Sequence, residues 1–274
     1  MDRGPTLASL IVGLVVLSAG FWLLERRQKE PPEQRRTRIQ TQTDIAYWFF
    51  TPLVTRLATR VALGLTFLVL ALWQGVSFED LRRAALTRQT WASALPAWIQ
   101  IALILLLADL LAYWSHRIFH GRFLWRFHAI HHSSKTVDWL SSVRLHPVND
   151  ILSRIIQVLP LYWMGFNGVL LAGFVPFLTL YAILLHANVN WTYGPLRYVI
   201  ASPAFHRWHH TTEDEGLDRN FSGLFPFIDV VFGTFYMPAG RQPQHFGIRN
   251  DDVPEGLLVQ LAFPFRRRGR DVPP

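Results

Sequence analysis

Four stretches of this chain run for 18 or more residues without a charged side chain, and they constrain its fold more than any other feature. Leu7 to Leu24 and Val61 to Phe78 each hold 18 uncharged residues, Gln89 to Ala108 holds 20, and Ile155 to Leu185 holds 31. A helix of about 20 apolar residues crosses the hydrocarbon core of a bilayer, where the backbone must satisfy its own hydrogen bonds. The third stretch continues past Asp109 toward Ser115 and ends where a cluster of histidines begins. The fourth is too long for one straight span at about 1.5 Å per residue. It is interrupted by Pro160, Gly165, Gly168, Gly173 and Pro176, so a hydrophobic hairpin is expected over 152–185. These spacings predict an all-α membrane protein with about four to five transmembrane or re-entrant helices. An anchor helix and basic linker would occupy 1–44, transmembrane helices 45–108, a histidine-rich region 109–250 and a basic tail 251–274.

Charge fits this picture. The 274 residues are 50% hydrophobic and only 17% charged, against roughly a quarter charged in soluble domains. The net charge of +8 comes largely from Arg26 to Arg38 and Arg266 to Arg270, both beside hydrophobic segments. Such placement suits cytoplasmic membrane flanks better than a nucleic-acid surface. Basic residues after Leu24, without a small-residue cleavage pattern, favour an anchor over a signal peptide. With the Arg26 to Arg38 run inside, alternating spans bring His116 and the region from His186 onward to the cytoplasmic face. Glu79 to Arg88 would lie on the other side. Trp91, Trp98, Trp114, Trp125, Trp139 and Trp163 fall near proposed span ends, as indole at a lipid–water boundary would.

Cysteine is absent, which excludes disulfides, thiolate metal sites, iron–sulfur clusters and a cysteine nucleophile. Histidine takes the prominent place. Eight of the 11 histidines occur in HRIFH, HAIHH and HRWHH, beginning at His116, His128 and His206. Three- and four-residue spacings put His116 with His120, His128 with His131 and His132, and His206 with His209 and His210 on one side of their helices. Imidazole suits Zn, Cu, Fe and Ni. Eight ligands exceed one closed tetrahedral site, so two metals with open coordination are expected.

The three boxes, separated by a hydrophobic hairpin, resemble the membrane-bound fatty acid hydroxylase and sterol desaturase superfamily, with its HxxxH, HxxHH and HxxHH pattern. The likeness extends from about Asp109 to Pro238 and includes DLLAYWSHRIFH, HHSSKTVDWLSSVRLHP, HANVN and RNFSGLFPFIDVVFGTFYMP. It implies a cytosolic helical cap in which two iron ions use O2 and external electrons to attack an unactivated C–H bond of a lipid. The implied metal ligands are His116, His120, His128, His131, His132, His206, His209 and His210, with His186 of HANVN as a ninth. Some family members carry another histidine where Asn190 stands here, which implies weak or water-mediated binding by Asn190. Asn220 and Asp229 match family positions that support the ligands.

Asp109, two helical turns before His116 at the end of an apolar span, is a candidate to orient a ligand ring. His146 could line the cavity or make a structural hydrogen bond. The acidic run Glu213, Asp214, Glu215 and Asp218 reads as a solvated loop or as docking for an electron donor. No nucleotide, flavin or haem motif is present, so electrons would come from a separate ferredoxin- or cytochrome-type donor with its reductase. A metal-dependent lipid hydrolase and, further off, a metal-ion transporter are the alternatives. Hydroxylation and desaturation share their first step, and His245 has no assigned role.

Overall fold

A computed structural model describes residues 5–26, 37–87, 90–249 and 253–266. Most of the basic linker and the tail beyond Arg266 lie outside the described residues. The described chain is helical, with no strand beyond an isolated bridge between Thr211 and Phe246.

Helix α1 (Leu7–Glu25) starts at Thr6, whose hydroxyl accepts from the Ser9 N–H. A reciprocal cap between Thr37 and Gln40 starts α2 (Arg38–Phe50). Pro52 offers no N–H, and the helix widens through a π turn, Thr51–Thr55, before continuing as α3 (Arg56–Gln74). Together α2 and α3 form an apolar 37-residue unit, which at about 1.5 Å per residue exceeds the roughly 30 Å core. Its first part buries Gln40, Thr43 and Asp44, with Asp44 accepting from Arg144 and Thr43 from the Gly256 N–H, so α3 supplies the length that matches a bilayer. Helix α4 (Phe78–Thr87) follows Gly75, where φ is 68°.

The third uncharged stretch does not form one helix from Gln89. Thr90 and Ser93 close a turn on each other, and α5 (Ala97–Phe119) begins only after Pro96. Helix α6 (Trp125–His132) follows a short turn. The expected hairpin is α7 (Pro147–Trp163) and α8 (Gly168–His186), with Asn167 capping the second arm. The bend requires Gly165. Its φ is 83°, its carbonyl accepts from the Thr90 hydroxyl at 2.6 Å, and an added Cβ would lie 2.6 Å from that side chain. Short helices α9 (Pro203–His209), α10 (Phe227–Val231) and α11 (Leu257–Ala262) complete the described fold.

Among the described residues, four units are long and apolar enough to cross a membrane: α1, α2–α3, α5 and α8. The protein is an all-helical membrane-type fold. Contacts fix the relative direction of its main helices. Thr59 donates to Asp150 at 2.7 Å and Phe67 meets Tyr162 edge-on at 4.9 Å, so α3 and α7 run the same way. They lead away from the histidines, whereas α5 and α8 end on them. Residues 90–96 meet the α7–α8 bend at the opposite end. Trp73, Trp91, Trp98 and Trp163 are exposed around that end, as an interfacial belt would be. Trp139 does not belong to a belt: it is buried, stacked on Phe21 at 5.4 Å and edge-on to Trp48 at 5.8 Å.

Candidate metal centre

Four helices deliver nine histidines to one place. The last turn of α5 and its C-cap supply His116 and His120, and α6 supplies His128, His131 and His132. His186 ends α8, while α9 and its C-cap supply His206, His209 and His210. Ser202 accepts from the Phe205 N–H, and Pro203 occupies the first turn, so SPAFHRWHH starts its own helix directly before the box.

The nine divide into two groups. One contains His116, His120, His128, His132 and His209; the other contains His131, His186, His206 and His210. Within each, candidate ligand atoms lie within 4.8 Å of one another. This corrects the expectation that each box points all its ligands the same way. Residues i and i+4 share a helical face, but i+3 and i+4 are about 100° apart. His128 and His132 therefore enter the first group while His131 enters the second. Helix α9 does the reverse, sending His206 and His210 to the second group and His209 to the first. His132 and His210 stack at 4.4 Å where the groups meet.

Ring protonation shows what each group is built to hold. His116 donates from Nδ1 to the Phe221 carbonyl at 2.8 Å, His209 to the Arg219 carbonyl at 2.7 Å, and His128 to Asn149 Oδ1 at 2.7 Å. His131 donates to the Arg144 carbonyl at 3.2 Å and His186 to the Ala182 carbonyl at 2.7 Å. His120 donates to the Asp218 carboxylate at 2.9 Å. These oxygens only accept, so each Nδ1 carries its ring's single proton and each Nε2 presents a lone pair.

Those lone pairs face one another. Nε2 of His116 is 2.9 Å from that of His128, and Nε2 of His131 is 3.3 Å from that of His186. His132 and His209 approach at 3.1 Å, as do His206 and His210. In the His116–His128 and His131–His186 pairs both rings carry their proton on Nδ1, so no proton lies between the two nitrogens and the contact repels unless a cation lies beside it. Spacings near 3 Å are also those of nitrogens about 2.0–2.1 Å from a shared ion. Buried His120 Nε2 has no hydrogen-bond partner. The donor set therefore fits a metal in each group.

Burial first, and mutual repulsion second, hold His128, His131, His132, His209 and His210 well below the ordinary histidine value; the same forces act on His206. The unfolded chain therefore binds more protons below about pH 6.5. The metal-free fold should lose stability progressively as pH falls from that value toward the depressed folded-state values. Protons should displace metal in the same direction. Thermal unfolding in detergent with a chelator tests this, and a midpoint unchanged between about pH 7.5 and 5.5 would contradict it.

The supporting residues divide by what they touch. Asp109 contacts no histidine directly: it accepts from the N–H groups of Gly223, Leu224 and Phe225 at 2.8, 3.0 and 2.7 Å. Asp229 accepts from Phe221 and Ser222 at 2.7 and 3.0 Å and from the Thr234 hydroxyl at 2.7 Å. Both acids thus hold the loop whose Phe221 carbonyl orients His116. Asn220, at φ 58°, donates to the Phe205 and Tyr236 carbonyls and accepts from the Tyr236 N–H, tying that loop to α9. His146 accepts from the Val148 N–H to cap α7 and donates to the Leu261 carbonyl. Asn190 is exposed.

Sequence reasoning missed Asn149, which has no local signature, and the specific partnership of Asp218 with His120 across 98 residues. Elsewhere in the acidic run, Glu213 and Glu215 approach Arg241, and Asp214 pairs with Arg249.

Residues 101–234, which contain all nine histidines, match the family model of fatty acid hydroxylases. This chain belongs to the fatty acid hydroxylase superfamily. Among superfamily relatives, ornithine lipid hydroxylase OlsE of Rhizobium tropici is 32% identical over 66% of this chain and 54% of its own length. Alkylglycerol monooxygenase of Caenorhabditis elegans is 28% identical over 56% of this chain and 30% of its own. Very-long-chain aldehyde decarbonylase GL1-7 of Oryza sativa subsp. japonica is 34% identical over 46% of this chain and 21% of its own. The chain spans about half, or less, of the length of these relatives. No solved structure gives a significant match to this chain.

Proposed function

We propose that this chain is a membrane di-iron oxygenase that hydroxylates an unactivated C–H position of a lipid, with its histidine end on the cytoplasmic side. The supporting observation is the pair of imidazole groups whose candidate ligand atoms converge within 4.8 Å, with six of the nine rings holding their proton on the outward Nδ1. Five nitrogens in one group and four in the other would hold one iron each. Bound iron would supply the redox chemistry that oxygen insertion needs and that acid–base side chains lack.

The chain's own residues keep six of the nine rings, those of His116, His120, His128, His131, His186 and His209, in a metal-binding tautomer through fixed Nδ1 acceptors, and they shield the groups from water. Phe221 packs on His116, His120 and His209, with ring centroids 5.0 to 5.7 Å apart. Trp125 covers His120 and His132 at 5.2 and 5.5 Å. Hydroxylation is favoured over desaturation by the hydroxylase and monooxygenase relatives. The arginine-rich flanks support the cytoplasmic assignment. Electrons would arrive from a separate ferredoxin- or cytochrome-type donor with its reductase.

The test is to express the chain with iron, measure metal per chain, and compare host lipids by mass spectrometry with those from a His206→Ala variant. Two irons and a lipid carrying one additional oxygen, both diminished in the variant, are expected. One tightly held zinc with unchanged lipids would overturn the reading in favour of a hydrolase or a transporter.

A further inference from the structure

Two loops of the histidine-bearing half expose apolar side chains beside the ends of spanning helices. In the first, Leu196, Val199 and Ile200 are exposed, and the next residue, Ala201, accepts from the Tyr181 hydroxyl on α8. In the second, Val230, Val231 and Phe232 are exposed, with Val231 at 72%. Phe232 stacks on Tyr113 of α5 at 5.2 Å and meets Trp114 at 5.0 Å. The loops are joined, because Ala201 N–H donates to the Leu224 carbonyl at 2.9 Å and Tyr198 packs on Phe235 at 5.0 Å.

Their level relative to the helices is fixed. Asp109 of α5 holds the N–H groups of 223–225, so the second loop lies alongside the last three turns of an apolar span rather than beyond its end. Water-facing loops rarely gather this much contiguous apolar surface. Positive charge borders it: Arg197 lies over the Tyr198 ring at 4.8 Å and Arg117 over Trp114 at 5.6 Å. Arginine beside an interfacial aromatic ring suits the phosphate level of a bilayer, with the apolar side chains just below.

We propose that loops 194–200 and 227–232 form a membrane-seated belt between α5 and α8, occupied by the upper acyl and headgroup region of bilayer lipids. The inference rests on the membrane reading of α5 and α8 and deepens it. It places the five-histidine group next to lipid: Phe232 stacks on Tyr113, Tyr113 meets Phe221 at 5.8 Å, and Phe221 meets His120 at 5.0 Å. A lipid would then approach that group sideways from the bilayer.

The absence of cysteine makes the test direct. Val199→Cys and Val231→Cys, with Leu180→Cys on α8 and His245→Cys on the cap as references, are labelled with a nitroxide. Each is reconstituted in vesicles of phosphatidylcholine and phosphatidylglycerol. Electron paramagnetic resonance then reads collisions with oxygen and with a water-soluble nickel chelate. Labels at 199 and 231 should favour oxygen and report a depth of about 5–10 Å, typical of interfacial segments. Nickel accessibility matching residue 245 would overturn the belt, as would exclusion of both reagents, which would mean burial against another protein surface. If Leu180→Cys is itself open to nickel, the membrane reading of α8 fails rather than the belt alone. Unchanged metal content in each variant confirms that the fold is retained.

Discussion

Replacing Arg144 with alanine should destabilise the fold by about 3–5 kcal/mol, the loss expected when one partner of a buried ion pair is removed. Arg144 is fully buried and donates from Nε to Asp44 at 2.7 Å, from Nη1 to Ser133 at 3.1 Å, and more weakly to Glu255 at 3.3 Å. Asp44 comes from α2 and Glu255 from the segment before α11, so one side chain joins parts of the chain on both sides of the 101–234 match. Its backbone carbonyl also accepts from His131. Truncation would leave Asp44 charged in a buried site and loosen the segment that orients a ring of the four-histidine group. Chemical unfolding in detergent measures the effect. Combining Arg144→Met with Asp44→Leu should recover part of the loss, because the double change removes the fully buried charge at 44 and leaves unpaired only Glu255, which is partly exposed. Equal stability of Arg144→Ala and the parent would contradict this account.

Features set by local spacing were legible in the sequence. The uncharged runs anticipated four apolar crossing units, and prolines and glycines in the fourth anticipated the hairpin, since helix length and helix-breaking residues act within a few turns. The boxes likewise pointed to a histidine cluster that could hold metal, but not to its division into two groups. That division depends on how α6 and α9 face each other, which no single box specifies. His186 emerged through the family resemblance, because one histidine ending a hydrophobic helix has no distinctive local pattern. The outer partners were harder still. Asp218 meets His120 from 98 residues away, and Asn149 meets His128 across the turn between α6 and α7. Asp109 was noticeable as an acid inside an apolar run, yet its three N–H partners lie 114 to 116 residues later. The sequence could therefore suggest its importance without revealing that it acts through a loop.

That indirect arrangement makes Asp109→Ala the most selective test of the centre. Removing the carboxylate strands the N–H groups of Gly223, Leu224 and Phe225, each previously hydrogen bonded. The loop would relax, drawing the Phe221 carbonyl away from His116 Nδ1. His116 could then carry its proton on Nε2, where it cannot serve as a ligand. Loss of an outer hydrogen-bond partner typically lowers metal affinity or activity about 10–100-fold. The effect should be unequal, because the four-histidine group takes its recorded Nδ1 contacts from Arg144 and Ala182 instead. Metal titration of Asp109→Ala should therefore show one site weakened and one close to the parent. Asp109→Asn tests the cause: its amide places a donor among N–H groups that need acceptors, so it should rescue little despite nearly the same size. If both sites weaken alike in Asp109→Ala, the acid supports the whole bundle rather than His116. If neither weakens, the 221–225 loop does not set the orientation of that ring.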